Sequence, residues 1–221
     1  MSRSSLFPAL IIVGIMALAS LWGAAVLPDD VRIPIHFDLQ LRADRWVGKT
    51  AGLLLAPGVA LAVVGVMMLA PRIDPRGANL RRSQHAVDVS SLAITSLFAM
   101  LHLSVLGHAA GLSSSPAQVL PLVLSVFLVA VGNVMGKLAS NHVIGVRTRW
   151  TLADEQVWRS TQRFTGRAFV AVGLVGLATT FLTDARRGGV VVTAGMLIAA
   201  AAGVLASYLS WRRRHVTPAR K

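Results

Sequence analysis

Asn133, Lys137 and Asn141 recur at i, i+4 and i+8, and a dense polar run follows them: Gly145, Arg147, Thr148, Arg149, Trp150, Thr151, Glu155 and Trp158. Amide, cationic, carboxylate and indole groups in this concentration could bind a ligand or dock a second protein. They could equally satisfy one another in a buried network that only holds the structure together. Two smaller sets could also do chemistry. His36 and Asp38, two residues apart, could share a proton or a metal ion. Asp88 and His102 are ionisable groups in a strongly apolar stretch, where such groups are functional candidates by default.

The elements that must position these residues follow from composition. The chain has 221 residues, 54% hydrophobic and 14% charged, with a mean hydropathy of +0.64. A soluble domain carries roughly 25% charged residues. Here the few charges cluster and leave long apolar runs, the pattern of a polytopic membrane protein. Six spans are predicted at about 6–27, 47–70, 87–107, 117–136, 168–183 and 189–211, the fifth being short. The first run is long enough to cross a bilayer and is read as a span rather than a cleaved leader. Pro57 is expected to kink the second span. The fold class is thus all-α, a bundle of six transmembrane helices.

The sequence has no cysteine, which excludes disulfides, thiolate catalysis and cysteine-based zinc sites. Net charge is +13. That balance suggests nucleic acid in a soluble protein, but excess Lys and Arg in cytoplasmic loops explains it in a membrane protein, and no direct nucleic-acid partner is expected. Of the 22 Lys and Arg, one side of the membrane would hold only Arg32, Arg42, Arg45, Lys49, Arg186 and Arg187. The others, from Arg3 to Arg220 and Lys221, fall on the side of both termini. The positive-inside rule therefore predicts N-in and C-in.

Within that frame the first outer loop alternates apolar and polar residues from Val31 to Asp38. Period two predicts an extended strand with Val31, Ile33, Ile35 and Phe37 on one face, and Pro34 makes it an edge. His36 and Asp38 are read as a hydrogen-bonded pair or a metal site, and an edge strand could receive a peptide by β-augmentation. In the inner loop, Gly132 and Gly136 form a small-xxx-small pair suited to close helix approach. Thr151 and Asp154 fit a capping box that starts a helix. Glu155 and Arg159 then form an i, i+4 pair. Arg159, Arg163 and Arg167 make a basic row, and Trp150 and Trp158 suit the membrane interface. The expected picture is a short helix lying on the inner leaflet and leading into span five, for which a start near Phe164 is also open. Contact with anionic headgroups and docking of a protein both remain open for that short helix. In the third span Asp88 and His102 lie about 21 Å apart, too far for a continuous proton path, so His102 is expected to hydrogen-bond across the bundle.

The inner segment resembles the SdpI family of bacterial integral membrane proteins. The resemblance is carried by Gly132-Asn133, Lys137, Asn141, Gly145-Val146-Arg147-Thr148, Trp150-Thr151-Leu152, Glu155, Val157-Trp158 and Thr161. Upstream, Ile33-Pro34-Ile35-His36-Phe37-Asp38 with Asp44, Trp46 and Lys49 resembles the DUF1648 segment. The implied organisation is a DUF1648-like segment over 1–75 (two spans and the outer loop) and an SdpI-like region over 76–221. Val146 replaces the family Ile conservatively, and three further positions depart from the family pattern. Its Pro is Arg149, its His after Thr161 is Gln162, and a paired Gly motif is reduced to Gly166. Any proton or metal role of that His is therefore missing here.

The resemblance implies a non-enzymatic immunity or signalling protein of the bacterial plasma membrane. Such a protein guards the cell against a secreted, membrane-active peptide toxin, and some members sequester a cytosolic regulator at the inner face. The outer candidates are Pro34, His36, Phe37, Asp38 and Lys49, and the inner candidates are Asn133 to Trp158 as named above. The expected partners are the lipid bilayer, an extracellular peptide, and a cytosolic regulator or membrane-complex subunit. No catalytic residue, metal or cofactor is expected. The sequence has no zinc-protease helix, nucleotide loop or Ser–His–Asp arrangement. The alternatives are a small transporter or channel, or an accessory subunit of a larger membrane complex.

Overall fold

The computed structural model describes residues 1–38, 40–112 and 115–215. Arg220 and Lys221, part of the charge asymmetry, lie outside the described residues. Six helices are long and apolar enough to cross a membrane: α1 (Arg3–Val26), α2 (Lys49–Ile73), α4 (Gln84–Ala109), α5 (Pro116–Met135), α7 (Glu155–Leu182) and α8 (Ala185–His215). Each covers one of the six predicted spans, because about 20 apolar residues in a row can satisfy their backbone in lipid only as a helix. Two short helices, α3 (Gly77–Arg82) and α6 (Arg149–Ala153), and one hairpin, β1 (Arg32–Phe37) with β2 (Ala43–Gly48), complete the elements among the described residues.

The helices run up and down and pack as two triplets. In one, α1, α2 and α4 touch one another; in the other, α5, α7 and α8 do, and α4 against α5 joins the two. Alternation brings the start of α1, the end of α2, α3, the 136–154 connection and the end of α8 to one end of the bundle, here called the basic end. The hairpin caps the opposite end. Helix starts follow local chemistry. Ser115 accepts from the Ala117 N–H ahead of Pro116, whose missing N–H costs nothing in a first turn. Pro57 lies inside α2, and the helix continues through it.

Two boundaries differ from the sequence expectation. The fifth span does not begin near residue 168 after a separate surface helix. α7 runs unbroken from Glu155, and only the five residues of α6 precede it. The capping box is also displaced. Thr148, not Thr151, caps α6, its hydroxyl accepting from Thr151 N while Thr151 Oγ1 accepts from Thr148 N. Asp154 caps α7 by accepting from Gln156 N and Val157 N. Two helix starts six residues apart had been compressed into one signal.

Candidate functional site

The connection between α5 and α7 is where most of the singled-out residues gather. α5 ends at Met135 with Gly136 as its cap, so Asn133, Lys137 and Asn141 do not share a helical face. Their spacing is helical, but Lys137 and Asn141 lie past the helix end. Asn141 is fully buried. Its amide oxygen accepts from Val143 N and Ile144 N, both at 2.8 Å, and its NH2 donates to Ala139 O at 2.9 Å. One side chain thereby satisfies three main-chain groups of a turn that has no secondary structure to do so.

Further side chains converge on this turn from other elements. Arg76 donates to Ser140 Oγ and to Leu152 O. Asn79 donates to Ser140 O, and Ser83 Oγ accepts from Ala139 N. Asp74, its side chain 1% exposed, accepts from His142 N at 2.8 Å and pairs with His142 Nδ1 at 2.9 Å. Burial pushes the Asp74 carboxyl up. The bonds from the His142 ring and from the Arg76 and His142 N–H groups outweigh this and hold it below the usual carboxylate range. Gln162 on α7 makes a two-point bond with Val146, accepting at its N–H and donating to its carbonyl, both at 3.0 Å. Gly145 sits against that amide at φ +107°, where a side chain would be strained and its Cβ would lie 2.9 Å from Gln162 Oε1.

Trp158 is not at the membrane interface as expected. It is fully buried in the apolar cluster of Met67, Leu80, Val87, Val134, Met135 and Leu138, and its indole N–H donates to Leu138 O at 2.6 Å. Trp150 is half-buried, with its ring 5.1 Å from that of Tyr208 and with Arg149 over its face at 5.0 Å. Arg149 occupies the first residue of α6, a position that favours proline. Thr148 also contacts Ser207 at 3.1 Å, and Asp154 pairs with Arg214 at 3.0 Å, so α8 is tied to the same corner.

The motif residues therefore divide. Asn141, Gly145, Thr148, Thr151 and Trp158 are spent on holding the turn. Arg147 and Glu155 are exposed; Arg147 donates to His142 O, and Glu155 pairs with Arg159 at 3.3 Å. Asn133 and Lys137, also exposed, line a 550 Å³ groove between α5 and α7 together with Arg163 and Arg167. Asp74, Arg76, Asn79, Ser83 and Gln162 were missed by sequence reasoning. The polar cluster between the second and third spans was the available signal for the first four.

At the hairpin end, Ile33 is buried with Leu27, Leu53 and Leu106. A register shift between Pro34 and His36 breaks the alternation, so Ile35 is 41% exposed instead of sharing the buried face. His36 pairs with Asp44 at 2.6 Å and not with Asp38. Asp38 instead accepts from Gln40 N and Arg42 N in the turn. Lys49, at the start of α2, donates to Leu27 O at 2.6 Å and Asp29 at 2.9 Å. Its bond and charge hold the Asp29 carboxyl below the usual range. Beneath the hairpin is a 460 Å³ cavity walled by Pro34, Phe37, Leu55, Val59, Phe98 and Leu101, with His102 as a polar lining group.

In α4, Asp88 accepts from Ser2 N, Ser5 Oγ and Gln84 Nε2, so it fastens the start of α1. His102 crosses the bundle as expected, with Nε2 3.0 Å from Ser20 Oγ. Ser20 gives its one proton to Leu53 O, so His102 Nε2 is the donor, which sets the tautomer. Among the described residues, no group of three or more His, Cys, Asp or Glu is placed to hold a metal ion.

Comparison with known proteins agrees with these two regions. Residues 137–208 match the SdpI/YfhL protein family, and residues 11–61 match a domain of unknown function, DUF1648. The chain is 26% identical over 177 residues to the immunity protein SdpI of Bacillus subtilis (strain 168), covering 79% of this chain and 80% of the relative. No solved structure matches significantly. With six membrane-length apolar helices and both matched regions in order, the chain is a multi-pass bacterial membrane protein that is similar to the SdpI/YfhL family over residues 137–208 and to DUF1648 over residues 11–61.

Proposed function

We propose that this chain is an immunity protein that protects a bacterial cell from a secreted, membrane-active peptide, and that the hairpin end receives the peptide. Positive-inside asymmetry supports a cytoplasmic basic end and an outer hairpin. The relationship to a curated immunity protein supports the general reading. The observation that carries the finer one is the hairpin itself. β2 is paired on one side by β1, and the described residues put no strand on its other side. Trp46 stands exposed on β2, and exposed Ile35 on β1 lines a cavity that is mostly apolar, with His36, His102 and Thr193 as its polar lining groups. A free strand edge gives main-chain hydrogen bonds to an extended peptide, and adjacent apolar space accepts its side chains. His36 and Lys49 brace the hairpin, and Pro34 and Phe37 wall the cavity.

A cytosolic regulator or membrane-complex subunit would meet the opposite end at exposed Arg147 and Glu155, with half-buried Trp150 between them. The exposure of Arg147 and Glu155 supports this second contact.

The test is survival of a sensitive bacterium expressing the chain under challenge with a panel of secreted membrane-active peptides. Protection against at least one peptide, relative to an empty vector, is the expected result. Full sensitivity to the whole panel at verified membrane abundance contradicts the immunity reading.

A further inference from the structure

The basic end carries many cations, and some are engaged by the protein. Arg76, Arg81 and Arg147 donate to main-chain carbonyls, Arg159 pairs with Glu155, and Arg214 pairs with Asp154. Lys137, Arg163 and Arg167 differ. All three line the groove between α5 and α7, and none has an ion pair or side-chain hydrogen bond among the described residues. Among the described residues, no carboxylate lines the groove. Asn133 adds an amide one turn deeper along α5.

α5 and α7 approach closely at small residues, at Gly132 against Gly166 and again at Gly173 against Ser125 O. A Cβ on Gly132 would lie 2.6 Å from Gly166 O, and one on Gly166 would lie 2.6 Å from Gly132 O. Contact at these points leaves an open furrow beside them. Arg163 and Arg167 edge it one helical turn apart. Beyond them Val170, Ala171 and Leu174 continue it for about 10 Å along α7 toward the membrane centre. The groove is therefore cationic at its membrane-surface end and apolar at its deep end. A soluble phosphate would use only half of it.

We propose that the α5–α7 groove is a binding site for an anionic phospholipid of the leaflet at the basic end. The phosphate meets Lys137, Arg163 and Arg167, and the first part of an acyl chain lies on Val170, Ala171 and Leu174. Guanidinium forks match phosphate oxygens, and three unpaired cations at headgroup depth favour an anionic over a zwitterionic lipid. The 550 Å³ volume suits a headgroup with part of its chains rather than a whole lipid. The site does not depend on the immunity reading.

Native mass spectrometry of the full chain, released from neutral micelles doped with equal phosphatidylglycerol and phosphatidylcholine, tests it. The wild type is expected to retain phosphatidylglycerol preferentially. A Lys137→Gln/Arg163→Gln/Arg167→Gln variant should lose about tenfold of that preference. A charge-matched Arg72→Gln/Arg82→Gln/Arg212→Gln variant, altered at the same end but outside the groove, should keep it. Ala171→Trp, at an exposed position in the apolar half, should reduce retention while leaving every charge in place, and it covers the case in which the triple variant misfolds. Equal retention of the two lipids, equal loss in the charge-matched variant, full retention in Ala171→Trp, or competition by glycerol phosphate at the affinity of the lipid would each overturn the proposal.

Discussion

At the basic end, a turn without regular structure is held by side chains from the α2–α4 segment and from α7, nearly all of them bonded to main-chain atoms. At the hairpin end, two regular strands are anchored mainly by Ile33 in the apolar cluster and by the Lys49 bonds to Leu27 and Asp29. The irregular end has the denser polar bracing, and the regular end has the looser attachment. Backbone groups outside helices and strands must find partners from side chains, so the turn needs a large fixed set of them. A hairpin supplies its own ladder and can rest on the bundle through few contacts. The turn is therefore expected to be rigid and structural, and the hairpin free to accept a ligand edge.

The sharpest way to break this contrast is to truncate one tryptophan at each end. Trp158→Ala should cost about 3–5 kcal/mol, since it empties a filled apolar site and strands Leu138 O. Trp46→Ala should fall within about 0.5 kcal/mol, as for other exposed positions. Reversible unfolding in mixed micelles would measure both, and similar costs would remove the distinction. Asn141→Ala should follow at about 1–3 kcal/mol, because Val143 N and Ile144 N are left without a partner.

Asp74→Asn sharpens the comparison through pH and should cost about 1–3 kcal/mol at neutral pH. The folded carboxyl titrates below its ordinary value of 3.8. Its stabilisation is therefore complete above that value and is lost as pH falls through the lower, folded one. Acid unfolding of the wild type should steepen below about pH 4, and the variant should show a shallower acid limb. A limb of unchanged slope would contradict the role given to Asp74. The smallest effect is expected at the hairpin. His36→Ala breaks an exposed pair with Asp44 and should cost about 0–1 kcal/mol in the same measurement.

The spans were legible because lipid leaves a long apolar run no other solution. The first strand was legible through its alternation, but the register shift at Ile35 was not, since a bulge carries no periodic signal. The early start of α7 was hidden because residues 155–167 are polar and basic, although they continue the same helix. Spacing misled at Asn133, Lys137 and Asn141, where a helical period runs past the helix end at Gly136. Trp158 was placed at the interface by residue type alone. Its burial depends on α2, α3 and α4, which are distant in sequence. Gln162 was read only as a lost family histidine. Its bond to Val146 is a long-range pairing that local sequence cannot announce.

On the proposed function, protection belongs to the hairpin end and the basic-end turn serves the fold. Survival of a sensitive bacterium under peptide challenge tests it most directly, comparing Ile35→Ser/Trp46→Ala with Arg147→Ala/Glu155→Ala at membrane abundance matched to wild type. The hairpin variant is expected to lose protection and the basic-end variant to retain it. Full protection by the hairpin variant, with loss in the basic-end variant, would contradict it.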